Sequence, residues 1–350
     1  MESSSFELLK GLKGPILITG HSGFKGTWLI LLLESMGINV YGVSLKPTKD
    51  SLFSSIYSNT QPKLNNWIDL RNLSELAFFL NKTEPSYIFH LAAQAIVTEG
   101  YLDPIGTFNT NVMGTANLLE AVRKCESVTG VTVVTTDKVY RNQNASNRFV
   151  ESDALEGADP YSASKVGTEA VASAWKSIYK TENEIVVNIV RAGNVIGGGD
   201  FAKNRLLPDL IRSVGGRPPA LIRNPESTRP WQHVLDPLLG YLMSATLSLE
   251  EKKNLTLNFG PTEPSLSVRE VSEICKEKWS EIDFTIQPSK LIHESYFLDL
   301  NSKLASDLTG WVPRFDQKEA VGMTIDWWKN KFRGLASPRE LCMQDIESLW

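Results

Sequence analysis

The segment Pro15–Gly26 reads Pro-Ile-Leu-Ile-Thr-Gly-His-Ser-Gly-Phe-Lys-Gly and constrains this chain more than any other stretch. Ile16, Leu17 and Ile18 form a short apolar run, as a strand buried on both faces requires. Gly20, Gly23 and Gly26 follow, and then a helical pattern from Thr27 that stops at Gly37. Strand, glycine turn and helix are the parts of a dinucleotide site: Gly20 permits the turn, Gly23 lets the backbone approach a pyrophosphate, and Gly26 lets helix and strand pack closely. The helix start presents free N–H groups and a partial positive charge to phosphate.

The rest of the first 200 residues repeats the β-α alternation. Strands are expected at Asn39–Val43, around Trp67–Arg71, at Tyr87–Gln94, Val131–Lys138 and Glu184–Val190, with helices between them. This predicts a doubly wound parallel sheet of Rossmann type over residues 14–200, with residues 1–13 as a polar extension without a task. After Asp200 the texture changes, with frequent Pro and Arg. Residues 201–350 are expected to form mainly a smaller α/β substrate-binding lobe, apart from a return to the main sheet within about 231–260.

Composition narrows the function. A net charge of −4 with no basic block argues against nucleic acid. Cys125, Cys275 and Cys342 are too few and too far apart for a disulfide framework or a zinc site, so no metal is expected. The longest apolar run, Trp28–Leu33, is too short to span a bilayer, and the start lacks a signal-peptide pattern. The expected setting is therefore cytoplasmic, with no membrane partner.

Thr136, Tyr161 and Lys165 carry the chemistry. A Tyr hydroxyl is a weak base at neutral pH unless a cation stabilises the phenolate. Lys165 lies one helical turn from Tyr161 and is expected to supply that cation and to hold a nicotinamide ribose. Thr136 is expected to share a hydrogen bond with the substrate hydroxyl whose proton Tyr161 removes. Asp137 and Lys138 exceed what a simple dehydrogenase needs. They suggest elimination after oxidation, with Lys138 as base at C5 of a 4-keto sugar and Asp137 as acid at the C6 hydroxyl. The alternative reading treats both as structural and the protein as a nucleotide-sugar 4-epimerase, or takes it for a 4,6-dehydratase of another NDP-sugar. His90 reads as a core histidine and His233 as a helix-entry residue.

These stretches, with Arg-Ala-Gly-Asn-Val-Ile-Gly-Gly-Gly-Asp at 191–200 and Arg-Pro-Trp-Gln-His-Val at 229–234, resemble the extended short-chain dehydrogenase/reductase family over roughly residues 14–335. Within it, Thr-Asp-Lys at 136–138 is similar to the sugar-nucleotide 4,6-dehydratases that act on CDP-glucose, whose relatives carry Asp-Glu there. The resemblance implies a hydro-lyase making a 4-keto-6-deoxy sugar nucleotide for deoxysugar and O-antigen synthesis, as a homodimer or homotetramer. It implies tightly bound NAD, met by Gly20, His21, Gly23, Phe24, Lys25, Gly26, Lys46, Asp69, Leu70, Leu91, Ala92, Ala93, Thr110, Tyr161 and Lys165. It implies that the sugar nucleotide meets Gln94, Asn194, Arg205, Arg229 and Tyr296. The chain departs from the family at Lys46, where an acidic residue is usual, so NADP stays open as cofactor. It also departs at Thr98, where Arg is expected, at Val139, where Cys is usual, and in the 141–150 loop, which lacks the usual tryptophans.

Overall fold

The computed structural model describes residues 6–57, 61, 63–142, 148–182, 184–287 and 297–350. Its centre is a sheet of seven parallel strands. In chain order they are β1 (Ile16–Thr19), β2 (Val40–Ser44), β3 (Asn66–Trp67), β4 (Tyr87–His90), β5 (Gly130–Val134), β6 (Val186–Ala192) and β7 (Thr256–Phe259). Their order across the sheet is 3-2-1-4-5-6-7. β1 pairs with β2 on one side and β4 on the other, Ile18 facing both Gly42 and Phe89. The strand order reverses there, which opens a crevice at the carboxyl edge. β7 pairs with β6, so the return to the main sheet lies where the sequence predicts it.

Two cores flank the sheet because successive strand residues point to opposite faces. Leu17, Ile88, Val131, Val133 and Val187 pack with helices α2 (Leu73–Thr83), α3 (Gly114–Arg123) and α4 (Pro160–Glu182). Ile16, Ile18, Phe89 and Val190 pack with α1 (Phe24–Ser35) and α5 (Leu235–Glu251) on the other face. Helix α1 is apolar all round: Trp28 through Leu33 are fully buried. A helix of that kind needs cover on every side. The cover comes from the sheet, from α5 and from the C-terminal helix α8 (Pro338–Glu347), which follows α6 (Val268–Lys278) and α7 (Gln317–Phe332). Residues 333–350, for which the sequence suggests no role, thus complete the shell around the glycine-turn helix.

The described part of the N-terminal extension also differs from expectation. Phe6 and Leu9 are buried in the core, and Phe6 meets Trp350 edge-on at 6.5 Å. A polar average over 13 residues hides two anchors. Beyond Tyr140 the chain is tied back to the core at Phe149, which stacks on Tyr140 at 4.8 Å and bridges to Leu300. Among the described residues no helix is long and apolar enough to cross a membrane. The three cysteines are buried and unpaired.

Helix α8 carries a buried acid. Burial is the main cause, with Asp326 adding to it, that pushes Asp345 up to about 7, and its Oδ2 lies 3.7 Å from Nε2 of the fully buried His233. Burial holds that imidazole neutral, down at about 3. The folded pKa of Asp345 exceeds its unfolded value, so its contribution to stability is complete below about pH 4 and is lost as pH rises through about 7. Asn cannot ionise. Asp345→Asn should therefore stabilise the protein relative to wild type more at pH 8 than at pH 5, by roughly 1–4 kcal/mol. Paired thermal melts at the two pH values check this, because any change in packing cancels in the difference.

Candidate active site

The carboxyl ends of the central strands open into one cavity of about 870 Å³. After β1 the chain turns at Gly20, whose φ is +75° and whose missing Cβ would stand 2.6 Å from the Ala92 nitrogen. Only glycine suits both demands. A Cβ at Gly26 would stand 2.3 Å from the Gly20 oxygen, so the start of α1 packs directly on the turn. Gly23 is the N-cap of α1, and no side chain caps that turn. Thr27 is the first amide to bond back, to the Gly23 oxygen at 2.9 Å. This is a cradle for a pyrophosphate: close backbone, open amides and a helix start.

Most of the residues singled out in the sequence line this cavity. They include Gly20, Gly23, Phe24, Lys25, Gly26, Lys46, Asp69, Leu70, Leu91, Ala92, Ala93 and Thr110 around the cradle. Thr136, Asp137, Lys138, Tyr161, Lys165, Asn194, Arg205 and Arg229 line the remainder. Two do not reach it. The His21 imidazole points into the core: it is fully buried, its Nε2 lies 2.7 Å from the Leu64 oxygen, and its ring stacks on Trp67. Gln94 is consumed in shaping its own loop, donating to Thr107 and accepting from the Ile96 amide. Tyr296 lies outside the described residues. Asp69 faces the cavity, but its carboxylate is gripped by Arg71 at 2.6 Å, which holds it below the usual carboxylate range. The N-cap of α2 is Asn72, whose side chain accepts the Glu75 amide.

The candidate reacting groups sit just past β5. The strand ends at Val134, and a short 3-10 turn, Asp137–Val139, follows. Thr136 caps that turn by accepting the Lys138 amide, and its hydroxyl donates to Asp137 Oδ1 at 2.9 Å. Lys138 Nζ lies 4.0 Å from the same oxygen. The Asp137 side chain is 1% exposed and that of Lys138 31%, so Lys138 faces the cavity while Asp137 forms its floor. Tyr161 stands across from Thr136. Burial pushes its phenol up to about 12, Thr136 pulls it down, Asp137 raises it and Arg205 lowers it. Lys165, expected to assist it, is held by the strand. Its ammonium donates to the Val134 oxygen at 3.0 Å, and burial brings it down to about 8. Arg205, a cation that lowers the phenol, also pairs with Asp200 at 3.0 Å.

Two buried networks that aim these groups are not evident from the sequence. Arg191 grips Glu169 through one edge of its guanidinium, Nε and Nη2 donating to the two carboxylate oxygens at 2.9 and 2.6 Å. Thr135 donates to the same carboxylate, and Tyr140 lies against Arg191. Glu169 is one turn beyond Lys165, so the pair pins α4 to β5 and β6. Asn111 forms the second clamp, joining the Gln94 backbone to Ser164 of α4. It sits in a π-helical turn, Asn109–Met113, and such turns interrupt helices at functional sites. An Asn inside a helical pattern is the one signal the sequence offers. His90 is the expected core histidine, held between Thr19 and Thr115 and lowered to about 3 by burial. Glu169→Ala would leave Arg191 buried without its counter-charge, at a cost of about 3–5 kcal/mol. Denaturant unfolding should show that loss, and Glu169→Gln should lose less.

A family model described as GDP-mannose 4,6 dehydratase matches residues 17–321. The chain is 37% identical over 340 residues to the CDP-glucose 4,6-dehydratase of Salmonella typhimurium, covering 93% of this chain and 94% of that one. Among solved structures it is similar to MoeE5 in complex with UDP-glucose and NAD, at 25% identity and a TM-score of 0.78, covering 92% of this chain and all of that one. In fold it is also similar to DesIV, a dTDP-glucose 4,6-dehydratase from Streptomyces venezuelae with NAD bound, at 24% identity and a TM-score of 0.77, covering 93% and 99% of the two chains. Matched over most of its length, with the glycine turn and the Tyr161–Lys165 helix on one cavity, the chain belongs to the GDP-mannose 4,6 dehydratase family of extended short-chain dehydrogenase/reductases.

Proposed function

We propose that the protein converts CDP-glucose to CDP-4-keto-6-deoxyglucose. The observation that carries this reading is the convergence of Thr136, Asp137, Lys138, Tyr161 and Lys165 on the cavity that holds the glycine cradle. The likeness to the Salmonella CDP-glucose enzyme supports the nucleotide and the sugar. The cradle fits NAD, the cofactor of the solved relatives, with Gly20, Gly23, Phe24, Lys25 and Gly26 at the pyrophosphate and Lys165 at the nicotinamide ribose. Lys46 is exposed at the rim, and NADP is the competing cofactor. A bound nicotinamide would supply the hydride acceptor for C4 and the hydride donor for C6.

The chain's own groups handle protons. Tyr161 takes the proton of the C4 hydroxyl while Thr136 orients that hydroxyl. Lys138, the more exposed of the charged pair, takes the proton from C5, which the C4 carbonyl has acidified. Asp137 delivers a proton to the C6 hydroxyl, which leaves as water, and Lys138 returns its proton to C5. Overall, the expelled water carries the hydroxyl of C6 and the proton that began on O4. The Thr136 hydroxyl, facing Tyr161 and bonded to Asp137, lies on the path between those two sites. Arg205 and Arg229 are suited to the diphosphate by their planar, paired donors. Incubation of the protein with CDP-glucose in deuterated water should give a product lighter by one water and deuterated at C5. Asp137→Asn and Lys138→Ala should each slow water loss by about 10²–10⁴. Turnover to a C4 epimer without loss of water, or full activity in both variants, would reject this reading.

We further propose a cytoplasmic homodimer that supplies deoxysugars for surface polysaccharide such as O-antigen. The short helices Val97–Leu102 and Pro104–Phe108 pack beside α4 and expose an apolar strip. Leu102 is 77% and Ile105 72% exposed, with Tyr101, Phe108 and Met113 nearby. Contiguous apolar surface of this kind marks an interface. In light scattering the wild type should have the mass of a dimer, and Leu102→Asp combined with Ile105→Asp that of a monomer.

A further inference from the structure

Asp200 and Arg205 form an ion pair on the cavity wall that the proton chemistry leaves unused. Asp200 Oδ2 accepts from Arg205 Nη1 at 3.0 Å. Both residues line the cavity together with Asn194 and Arg229. The Asp200 side chain is 8% exposed, so its charge needs a partner. Its other oxygen is occupied too, since Oδ1 accepts the Ala202 amide at 3.0 Å. One carboxylate thus folds a turn and holds the cation that the turn carries.

The turn is fastened at further points. At its root the Gly198 carbonyl accepts the Trp28 indole N–H at 3.0 Å, which ties it to the buried helix α1. Arg212 donates to the Phe201 and Ala202 carbonyls at 2.6 and 3.0 Å. Asn204, left-handed at φ +60°, donates to Thr98, another residue of the cavity wall, at 3.4 Å. Arg205 then precedes the short helix Leu206–Arg212, and its carbonyl accepts the Asp209 amide. Its backbone is therefore fixed, while its side chain is long and 37% exposed. Among the described residues that side chain hydrogen-bonds to Asp200 alone, through Nη1. This leaves the edge of Nε and Nη2, the edge with which Arg191 grips Glu169, without a protein partner among them.

That edge is the one that matches two oxygens of a phosphate. A guanidinium free to turn must be ordered when the anion binds, and the lost rotamer freedom weakens affinity. Held at Nη1, Arg205 presents its two-donor edge already oriented. The charge of Asp200 opposes the attraction for an anion, but solvent in the cavity screens that opposition and does not screen orientation.

We infer that Asp200 is a positioning residue, which holds Arg205 by Nη1 so that the Nε–Nη2 edge is set for the diphosphate of the sugar nucleotide. This rests on the function proposed above, in which Arg205 meets that diphosphate.

The test is calorimetric binding of CDP and of cytidine to the NAD-loaded protein. The wild type is compared with Asp200→Asn, Arg205→Gln, Arg205→Lys and the double variant Asp200→Asn with Arg205→Gln. Asn keeps an acceptor for the Ala202 amide but turns its own amide toward Nη1. Asp200→Asn should weaken CDP binding by about tenfold and leave cytidine, which has no diphosphate, unchanged. In the Arg205→Gln background Asp200→Asn should cause no further loss, because the two residues act as one. Arg205→Lys, with a single nitrogen to serve both Asp200 and phosphate, should also weaken CDP binding by about tenfold. Wild-type or tighter CDP binding in Asp200→Asn, equal losses for CDP and cytidine, or a full further loss in the double variant each overturns the inference and leaves the nucleotide reading standing. If Asp200→Asn does not fold, wild-type CDP affinity in Arg205→Lys overturns it. A wild type that binds CDP no better than cytidine overturns the nucleotide reading as well.

Discussion

The buried pair of Arg191 and Glu169 is the contact on which the geometry of the site depends. Both side chains are 4% exposed, so neither can turn to water if the other moves. The pair joins the carboxyl end of β6 to α4, one turn past Lys165, and Thr135, just beyond β5, shares the same carboxylate. Three elements are thereby fixed at one point, directly behind the reacting groups. Tyr161 and Lys165 project from the helix so held, and Thr136, Asp137 and Lys138 from the strand end. A surface ion pair would give no such constraint, because solvent would compete for both partners.

Around this anchor the molecule separates two kinds of burial. The apolar helix α1 lies in the larger core, enclosed by the sheet, α5 and α8. Its first turn is the exception, open toward the cavity and free of side-chain caps. The same helix therefore serves stability along its length and leaves uncapped amides, suited to an anion, at its start. On the cavity floor polar groups are enclosed rather than solvated, and this lifts the Tyr161 phenol and lowers the Lys25 and Lys165 ammoniums together. Enclosure pushes acids and bases toward their neutral forms, and in such a setting small changes in charge move protons.

Much of this was legible in the sequence where the signal is local. The glycine turn, the β-α alternation and the return strand near 256–259 follow from residue spacing and short apolar runs. So does the gathering of Thr136, Tyr161 and Lys165, because strand ends in a parallel sheet share one edge. Local signals failed where a side chain's direction is set by distant packing. His21 sits in the glycine turn yet stacks on Trp67, and Gln94 leaves β4 yet is spent on Thr107 and Ile96. Lys165 is one turn from Tyr161 as expected, but its ammonium donates to the Val134 carbonyl, and Arg205 from a distant loop also lowers the phenol.

The sequence by itself determined the parallel sheet, the glycine turn and which polar side chains gather at the strand ends. Those depend on glycine spacing, β-branched runs and helical periodicity, which operate over a few residues. Only the tertiary structure decided which charges face one another. Glu169 and Arg191 are 22 residues apart, Lys25 and Tyr241 more than 200, and Phe6 meets Trp350 across the whole chain. Electrostatic partnership and burial fall off with distance in space, not along the chain, so the proton affinities of this site exist only once it has folded.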